Sequence, residues 1–244
     1  MDAVLVAIPV FARTAGVLTT APGFGLRAVP LRIRLAAAVV LTPAMMPNAV
    51  GSVPAAAEPW ALVPASIEQL AVAASLFFYG VGIAGQILDR QLAFIGGGRA
   101  APASGGQMGH LGAFYFAFAT LVFFITDGHH ALLGGLARSW AALPLGEGLP
   151  AGASAGQFCG LVGTLFVAAL EVGAPVVAAV FIADVAIAVL ARVAPGLQPL
   201  AVGLPARSLV GLFAVVLSLP LVVSAVERYC GNVGQAISML LQAG

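Results

Sequence analysis

Six apolar segments joined by short connections constrain the fold of this chain more than any other feature of its sequence. They fall near residues 3–22, 35–50, 69–88, 111–126, 158–191 and 209–226. A helix needs about 20 residues to cross a bilayer, and several segments are shorter or are interrupted by Pro9, Pro43 or Pro220. A proline in a membrane helix needs neighbours that satisfy the carbonyl group it frees, so we expect these helices to pack mainly on protein. The pattern predicts an all-α, membrane-associated bundle of kinked helical hairpins.

The chain carries too few charges to cover a water-facing surface of its own size. Hydrophobic residues make up 61% and charged residues 8% of its 244 positions, whereas a soluble domain has roughly 25% charged residues. It therefore belongs in a membrane, in a larger assembly, or in both. The net charge of +1 gives no electrostatic basis for binding nucleic acid.

All ten basic residues are arginine, and the lack of lysine excludes several enzyme classes. A P-loop nucleotide site needs a lysine, as do Schiff-base enzymes and protein kinases. No coherent set of catalytic residues stands out either. The sequence therefore predicts neither an enzyme nor a bound cofactor.

The fifth apolar segment is too long for one straight span. It contains Glu171, the sequence Gly173-Ala174-Pro175 and Asp184, and we predict a break at Gly173–Pro175 that yields two helical pieces. The chain shows no internal repeat and no long polar linker, which favours one domain over residues 1–244. Seven arginines in the odd-numbered connections, against one in the even-numbered ones, predict an outside N-terminus. The topology of the C-terminal half stays open.

Glu171 and Asp184 are the most costly residues of the apolar segments. An acidic side chain at the centre of a bilayer costs roughly 2.5–3.5 kcal/mol on insertion scales. A hydrogen bond or ion pair with a neighbouring subunit is our preferred interpretation, and a proton relay is the functionally more specific alternative. A secondary transporter with both carboxylates in its substrate site is the competing function.

Asp127-Gly128-His129-His130 could suggest a metal site. Adjacent histidines do not share one helix face, and no further cluster of histidine or cysteine accompanies them. We therefore expect a polar helix end at an aqueous boundary, with Asp127 as a polar candidate and no bound metal. Cys159 and Cys230 are expected to be buried small apolar residues, although a disulfide stays open.

An arginine-rich stretch between the first two apolar segments carries the most specific motif. A membrane anchor would by itself explain the charges of Arg27, Arg32 and Arg34. Further motifs follow in order: Arg13, Thr20-Ala21-Pro22, Arg27-Ala28-Val29-Pro30, Gly85-Gln86-Ile87, Gln91, Pro102-Ala103-Ser104, Asp127-Gly128-His129, Leu143-Pro144-Leu145-Gly146, Ala194-Pro195, Leu197, Val202-Gly203 and Pro205. This ordered set resembles the family of the flagellar biosynthetic protein FliR and the T subunits of type III secretion export apparatus.

The resemblance implies a structural, pore-forming subunit of a protein export gate. Such a subunit would assemble with the P and Q subunits, contact the export switch protein and pass unfolded export substrates. It would lie in the bacterial inner membrane, at the flagellar basal body in the flagellar case. Whether the apparatus is flagellar or an injectisome stays open, as does the number of copies.

A glycine-rich loop joins the third and fourth apolar segments. In the family, the corresponding region resembles a plug within the closed pore, which implies that this loop obstructs the resting channel. Its candidate residues are Gly96, Gly97, Gly98, Pro102, Ala103, Ser104, Gly105 and Gly106. An ordinary connector is the plain alternative, since glycine-rich composition alone indicates only a wide choice of backbone conformations.

Overall fold

The computed structural model describes residues 3–21, 30–50, 64–92, 109–142, 151–194 and 199–242. All regular elements in these ranges are α-helices, which confirms the predicted fold class. The helices are α1 (Ala3–Thr20), α2 (Leu31–Val50), α3 (Pro64–Gln91), α4 (His110–Ile125), α5 (Gly128–Ala142), α6 (Ala151–Val193) and α7 (Pro199–Gln242). The short helix α5 was not among the predicted apolar segments, because Gly134, Gly135 and Arg138 dilute its apolar character.

The predicted break at Gly173–Pro175 is wrong. Helix α6 runs for 43 residues through Pro175 without interruption. A proline within a helix removes a single backbone hydrogen bond and clashes with the preceding turn. Val172 and Val176, which flank this position, are fully buried, and their packing offsets that local cost.

Two stretches are long and apolar enough to cross a membrane, Leu165–Val193 and Pro205–Gly231. A third qualifies if α4 and α5 are taken together, although they meet at a bend of 74°. These assignments rest on length and composition, and they agree with the membrane character that the sequence predicts.

Contacts between Cα atoms divide the chain into two compact units, Met1–Phe78 with Thr120–Thr164 and Glu227–Gly244, and Tyr79–Ala119 with Leu165–Val226. In the first unit, α1 packs on α2, and Ala15, Leu18 and Ala38 form a buried cluster between them. An aromatic cluster in the same unit stacks Phe77 on Tyr229, with ring centroids 4.4 Å apart.

The second unit holds a buried hydrogen bond between α4 and α7. The hydroxyl oxygen of Tyr115 lies 2.6 Å from that of Ser218, and both side chains are buried. The hydroxyl of Ser218 also donates a hydrogen bond of 2.8 Å to the carbonyl oxygen of Val215. Because a buried hydroxyl without a partner costs free energy, the contact with Ser218 satisfies Tyr115 and fixes the register of α4 on α7. The prediction of a single domain over residues 1–244 stays a prediction.

Candidate functional site

The predicted plug loop lies outside the described residues, but both of its ends are described. Helix α3 ends at Gln91, followed by Leu92, and the chain is described again from Gly109 at the start of α4. The candidate residues Gly96 to Gly98 and Pro102 to Gly106 lie between these points. What the structure supplies is therefore the base of the loop.

Asp89 holds the two ends of this loop together. Its Oδ1 accepts a hydrogen bond of 2.9 Å from the backbone N–H of Leu111, and its Oδ2 accepts one of 3.0 Å from that of Gly112. The first N–H groups of a helix have no partner within the helix, and a carboxylate is favoured at that end by the helix dipole. Asp89 thus caps α4 from another helix, and we call this contact the Asp89 clasp.

Gly85 and Gly112 let the backbones of α3 and α4 approach each other closely beside the Asp89 clasp. A Cβ atom at Gly85 would lie 2.6 Å from the Cα of Gly112 and 2.6 Å from the carbonyl oxygen of Leu111. These are backbone atoms, which cannot rotate away. Small residues permit such close approach of helices, and here they fix the hairpin base on which the loop is mounted.

A polar cluster in the second unit joins α3, α6 and α7. Arg207 Nε lies 3.3 Å from Asp184 Oδ1, and Arg207 Nη2 donates a hydrogen bond of 3.2 Å to Gln91 Oε1. Asp184 stands out in the sequence as a costly carboxylate, whereas Arg207 is one of the seven arginines of the odd-numbered connections, which were counted only for topology. Their pairing has no sequence signature, because the two residues lie on different helices.

Glu171 is exposed and does not share a site with Asp184. Since α6 is continuous from one to the other, thirteen residues at 1.5 Å each separate them by about 20 Å along the helix. A transporter site that uses both carboxylates would need them much closer. The geometry therefore disfavours the competing transporter interpretation in its original form.

Arg13, which stands out in the sequence only as part of a motif, is a buried cation. Its side chain is 1% exposed, and its guanidinium carbon lies 4.0 Å from the ring centroid of Trp140, which is fully buried. An aromatic face attracts a cation, most strongly where water is excluded. This pair ties α1 to α5.

The arginines of the first connection divide between two positions. Arg27 lies outside the described residues, whereas Arg32 and Arg34 belong to the first turn of α2 rather than to the connection. Arg32 is exposed. Arg34 is half-buried, and its Nη1 donates a hydrogen bond of 3.4 Å to the carbonyl oxygen of Thr19 at the end of α1.

At the bend between α4 and α5, Asp127 and His130 are exposed and His129 is half-buried. One ligand atom from each lies within 4.8 Å of the other two. The argument that adjacent histidines cannot converge does not hold here, because the ring centroids of His129 and His130 lie 4.1 Å apart. The prediction that Cys159 is buried is also wrong: it is exposed, Cys230 is half-buried, and both are free.

Comparison with known proteins identifies the chain. Residues 4–233 match the model of the bacterial export proteins, family 1. The chain belongs to this family. The predicted resemblance is therefore confirmed.

Curated relatives of this bacterial export protein carry one name. The flagellar biosynthetic protein FliR of Caulobacter vibrioides is 26% identical over 88% of this chain and 89% of its own length. The protein of that name from Pectobacterium carotovorum is 25% identical over 95% of this chain and 90% of its own. That of Escherichia coli is 28% identical over 88% of this chain and 85% of its own.

Proposed function

We propose that this bacterial export protein is a non-catalytic subunit of the flagellar export gate in the bacterial inner membrane. It assembles with the P and Q subunits into a pore that passes unfolded export substrates, and it contacts the export switch protein at the flagellar basal body. Family membership and the name shared by its relatives support the flagellar apparatus. An injectisome gate is the related possibility that the genomic neighbours would distinguish.

The observation that carries the assembly proposal is the apolar surface of α6. Within the stretch Leu165–Val193, only 11% of the most apolar window is buried by the rest of the chain. Phe166, Leu170, Phe181 and Ile182 are each more than 60% exposed. An apolar surface of this extent needs either lipid or another protein to cover it.

Glu171 indicates that protein rather than lipid covers the exposed apolar surface of α6. It lies one residue after Leu170 on the exposed part of α6. A carboxylate that faces hydrocarbon costs roughly 2.5–3.5 kcal/mol, whereas the polar groups of a neighbouring subunit can donate hydrogen bonds to it or pair with its charge. We therefore assign this surface, with Glu171, to contact with other gate subunits.

We further propose that the loop between Leu92 and Gly109 obstructs the resting channel and moves aside during export. The Asp89 clasp and the close approach of Gly85 to Gly112 support this, because a plug needs a fixed base. Arg27, Arg32 and Arg34 serve as the cytoplasmic-side anchor, where the exposed Arg32 is available to acidic groups of partner subunits.

Photo-crosslinking tests the assembly proposal. A photoreactive phenylalanine analogue replaces Phe166 or Phe181, both exposed, in cells that express the P and Q subunits. We expect ultraviolet light to link each position to one of these subunits. The matched control is the same variant in a strain that lacks both subunits, where the product must disappear. Links to lipid alone in the complete strain contradict the proposed assembly.

Solute flux tests the plug. Deletion of Gly96 to Gly98, or of Ser104 to Gly106, should leak small solutes in resting cells. The matched controls replace Gly96 to Gly98, or Gly105 and Gly106, with serine, which preserves loop length and should keep the membrane tight. If both deletion variants assemble and remain as tight as the wild type, the loop is not the plug.

A further inference from the structure

The bend between α4 and α5 holds three side chains with possible metal-ligand atoms, those of Asp127, His129 and His130. Helix α4 ends at Ile125 and α5 begins at Gly128. Between them, Asp127 adopts φ 55°, and its carbonyl oxygen accepts a hydrogen bond of 2.9 Å from the N–H of His130. This hydrogen bond places Asp127 directly before the first turn of α5.

Three possible metal ligands converge at this bend. His130 Nδ1 lies 3.2 Å from Asp127 Oδ1, and the rings of His129 and His130 have centroids 4.1 Å apart. Ligand atoms from all three residues lie within 4.8 Å of one another. Bonds of about 2.0–2.2 Å from nitrogen or carboxylate oxygen to zinc place such atoms up to about 4 Å apart, so a small side-chain rotation suffices.

The hydrogen bonds at the bend do not use all three groups. Asp127 and His130 satisfy each other, but His129 Nδ1 is buried and has no hydrogen-bond partner among the described residues. A buried polar nitrogen without a partner is costly. The ring of His129 is thus not committed through this nitrogen to any competing contact, and it adjoins two ligand groups that are open to solvent.

We propose that Asp127, His129 and His130 form a binding site for a divalent transition-metal ion of the zinc class. Imidazole ligands favour zinc, copper and nickel, whereas magnesium and calcium favour sites made of oxygen atoms. Two imidazoles and one carboxylate leave the remaining coordination positions to water, which reaches the site from the exposed side. The ion would hold the Asp127 turn against the first turn of α5 and so fix the bend.

Zinc binding to the purified full-length protein tests the proposal. The protein is prepared in detergent with an affinity tag that contains neither histidine nor cysteine, and Zn²⁺ is titrated by calorimetry. We expect one ion per chain, no competition by millimolar Mg²⁺, and a higher Tm with saturating Zn²⁺. Asp127→Ala, His129→Ala and His130→Ala should each lower the affinity at least about tenfold, the scale on which ligand surroundings affect metal sites.

Two matched controls distinguish this site from other zinc ligands. His110→Ala removes an exposed histidine at the start of α4, and Cys159→Ser removes an exposed thiol; both should bind Zn²⁺ as the wild type does. If His129→Ala fails to fold, the exposed residues Asp127 and His130 still decide the matter. The proposal is overturned if the wild type retains no Zn²⁺, if either exposed variant binds normally, or if Cys159→Ser abolishes binding.

Discussion

Arg207 on α7 lies 3.3 Å from the carboxylate of Asp184 on α6, and both residues belong to the same compact unit. Asp184 therefore has a partner within its own chain, whereas the sequence led us to expect one on a neighbouring subunit. The guanidinium also reaches Gln91 on α3. Because a cation and an anion offset each other's charge, three helices of an apolar chain can meet at one polar point.

Substitution at Asp184 should depend on whether its replacement keeps a polar group beside Arg207. We expect Asp184→Asn to retain assembly and most export, because an amide keeps the shape of the carboxylate and a polar oxygen close to the guanidinium of Arg207. Asp184→Leu leaves Arg207 without its carboxylate and should lower the Tm, while Asp184→Leu combined with Arg207→Met should recover part of the loss through a coupling of about 0.5–3 kcal/mol. If Asp184→Asn assembles normally yet abolishes secretion, a proton relay is the better interpretation.

The effect of a substitution at Asp89 should likewise depend on which side chain replaces the carboxylate. Asp89→Ala should destabilise the protein by about 0.5–2 kcal/mol, the cost of losing a helix cap, while Asp89→Asn retains an acceptor and should cost less. Thermal unfolding in detergent measures both. Arg90→Ala is the matched control, since Arg90 is exposed and adjacent; equal losses for Asp89→Ala and Arg90→Ala would contradict the role of the clasp.

Replacing a glycine of this chain with alanine should have different effects on stability at different positions. Gly85→Ala should impair folding or assembly, because its Cβ would meet backbone atoms of α4 at 2.6 Å. Gly160→Ala and Gly163→Ala on α6 meet nothing within 4 Å, and each should leave stability unchanged or raise it by up to about 1 kcal/mol, the helix preference of alanine over glycine. Expression level and Tm of the three variants check this contrast.

The stacked pair of Arg13 and Trp140 should require both a planar cation and an aromatic ring. Arg13→Lys keeps the charge but loses the flat guanidinium, and Trp140→Leu removes the aromatic face; we expect each to cost about 1–2 kcal/mol, as for a desolvated cation–π contact. Trp140→Phe should cost less than Trp140→Leu in thermal unfolding. Equal effects of these two variants would indicate packing alone.

Much of the helical architecture could be predicted from the sequence, because apolar segments in a chain with 8% charged residues leave few alternatives to helices. The break at Gly173–Pro175 could not, since proline weakens a helix locally and the packing of Val172 and Val176 decides the outcome. Helix α5 escaped prediction because its glycines and Arg138 lower its apolar content.

Some features of the candidate site could be predicted from the sequence, and others could not. Single costly residues such as Glu171 and Asp184 stand out in an apolar sequence, but their partners do not. The Asp89 clasp joins positions 22 and 23 residues apart, and the contact between Arg207 and Gln91 joins positions 116 apart. Such contacts depend on how helices pack, which periodicity and composition do not encode.

The Asp89 clasp also makes the hairpin base independent of what the chain does between Leu92 and Gly109. For a segment between ends that are already held, the free energy of closure grows only with the logarithm of its length, by about 0.6 kcal/mol for each doubling. An epitope or a small fluorescent reporter inserted there should therefore leave α3 and α4 folded. Any change in secretion caused by such an insertion would then reflect the passage of export substrates rather than misfolding of α3 and α4. This segment is therefore a suitable position for a reporter of export.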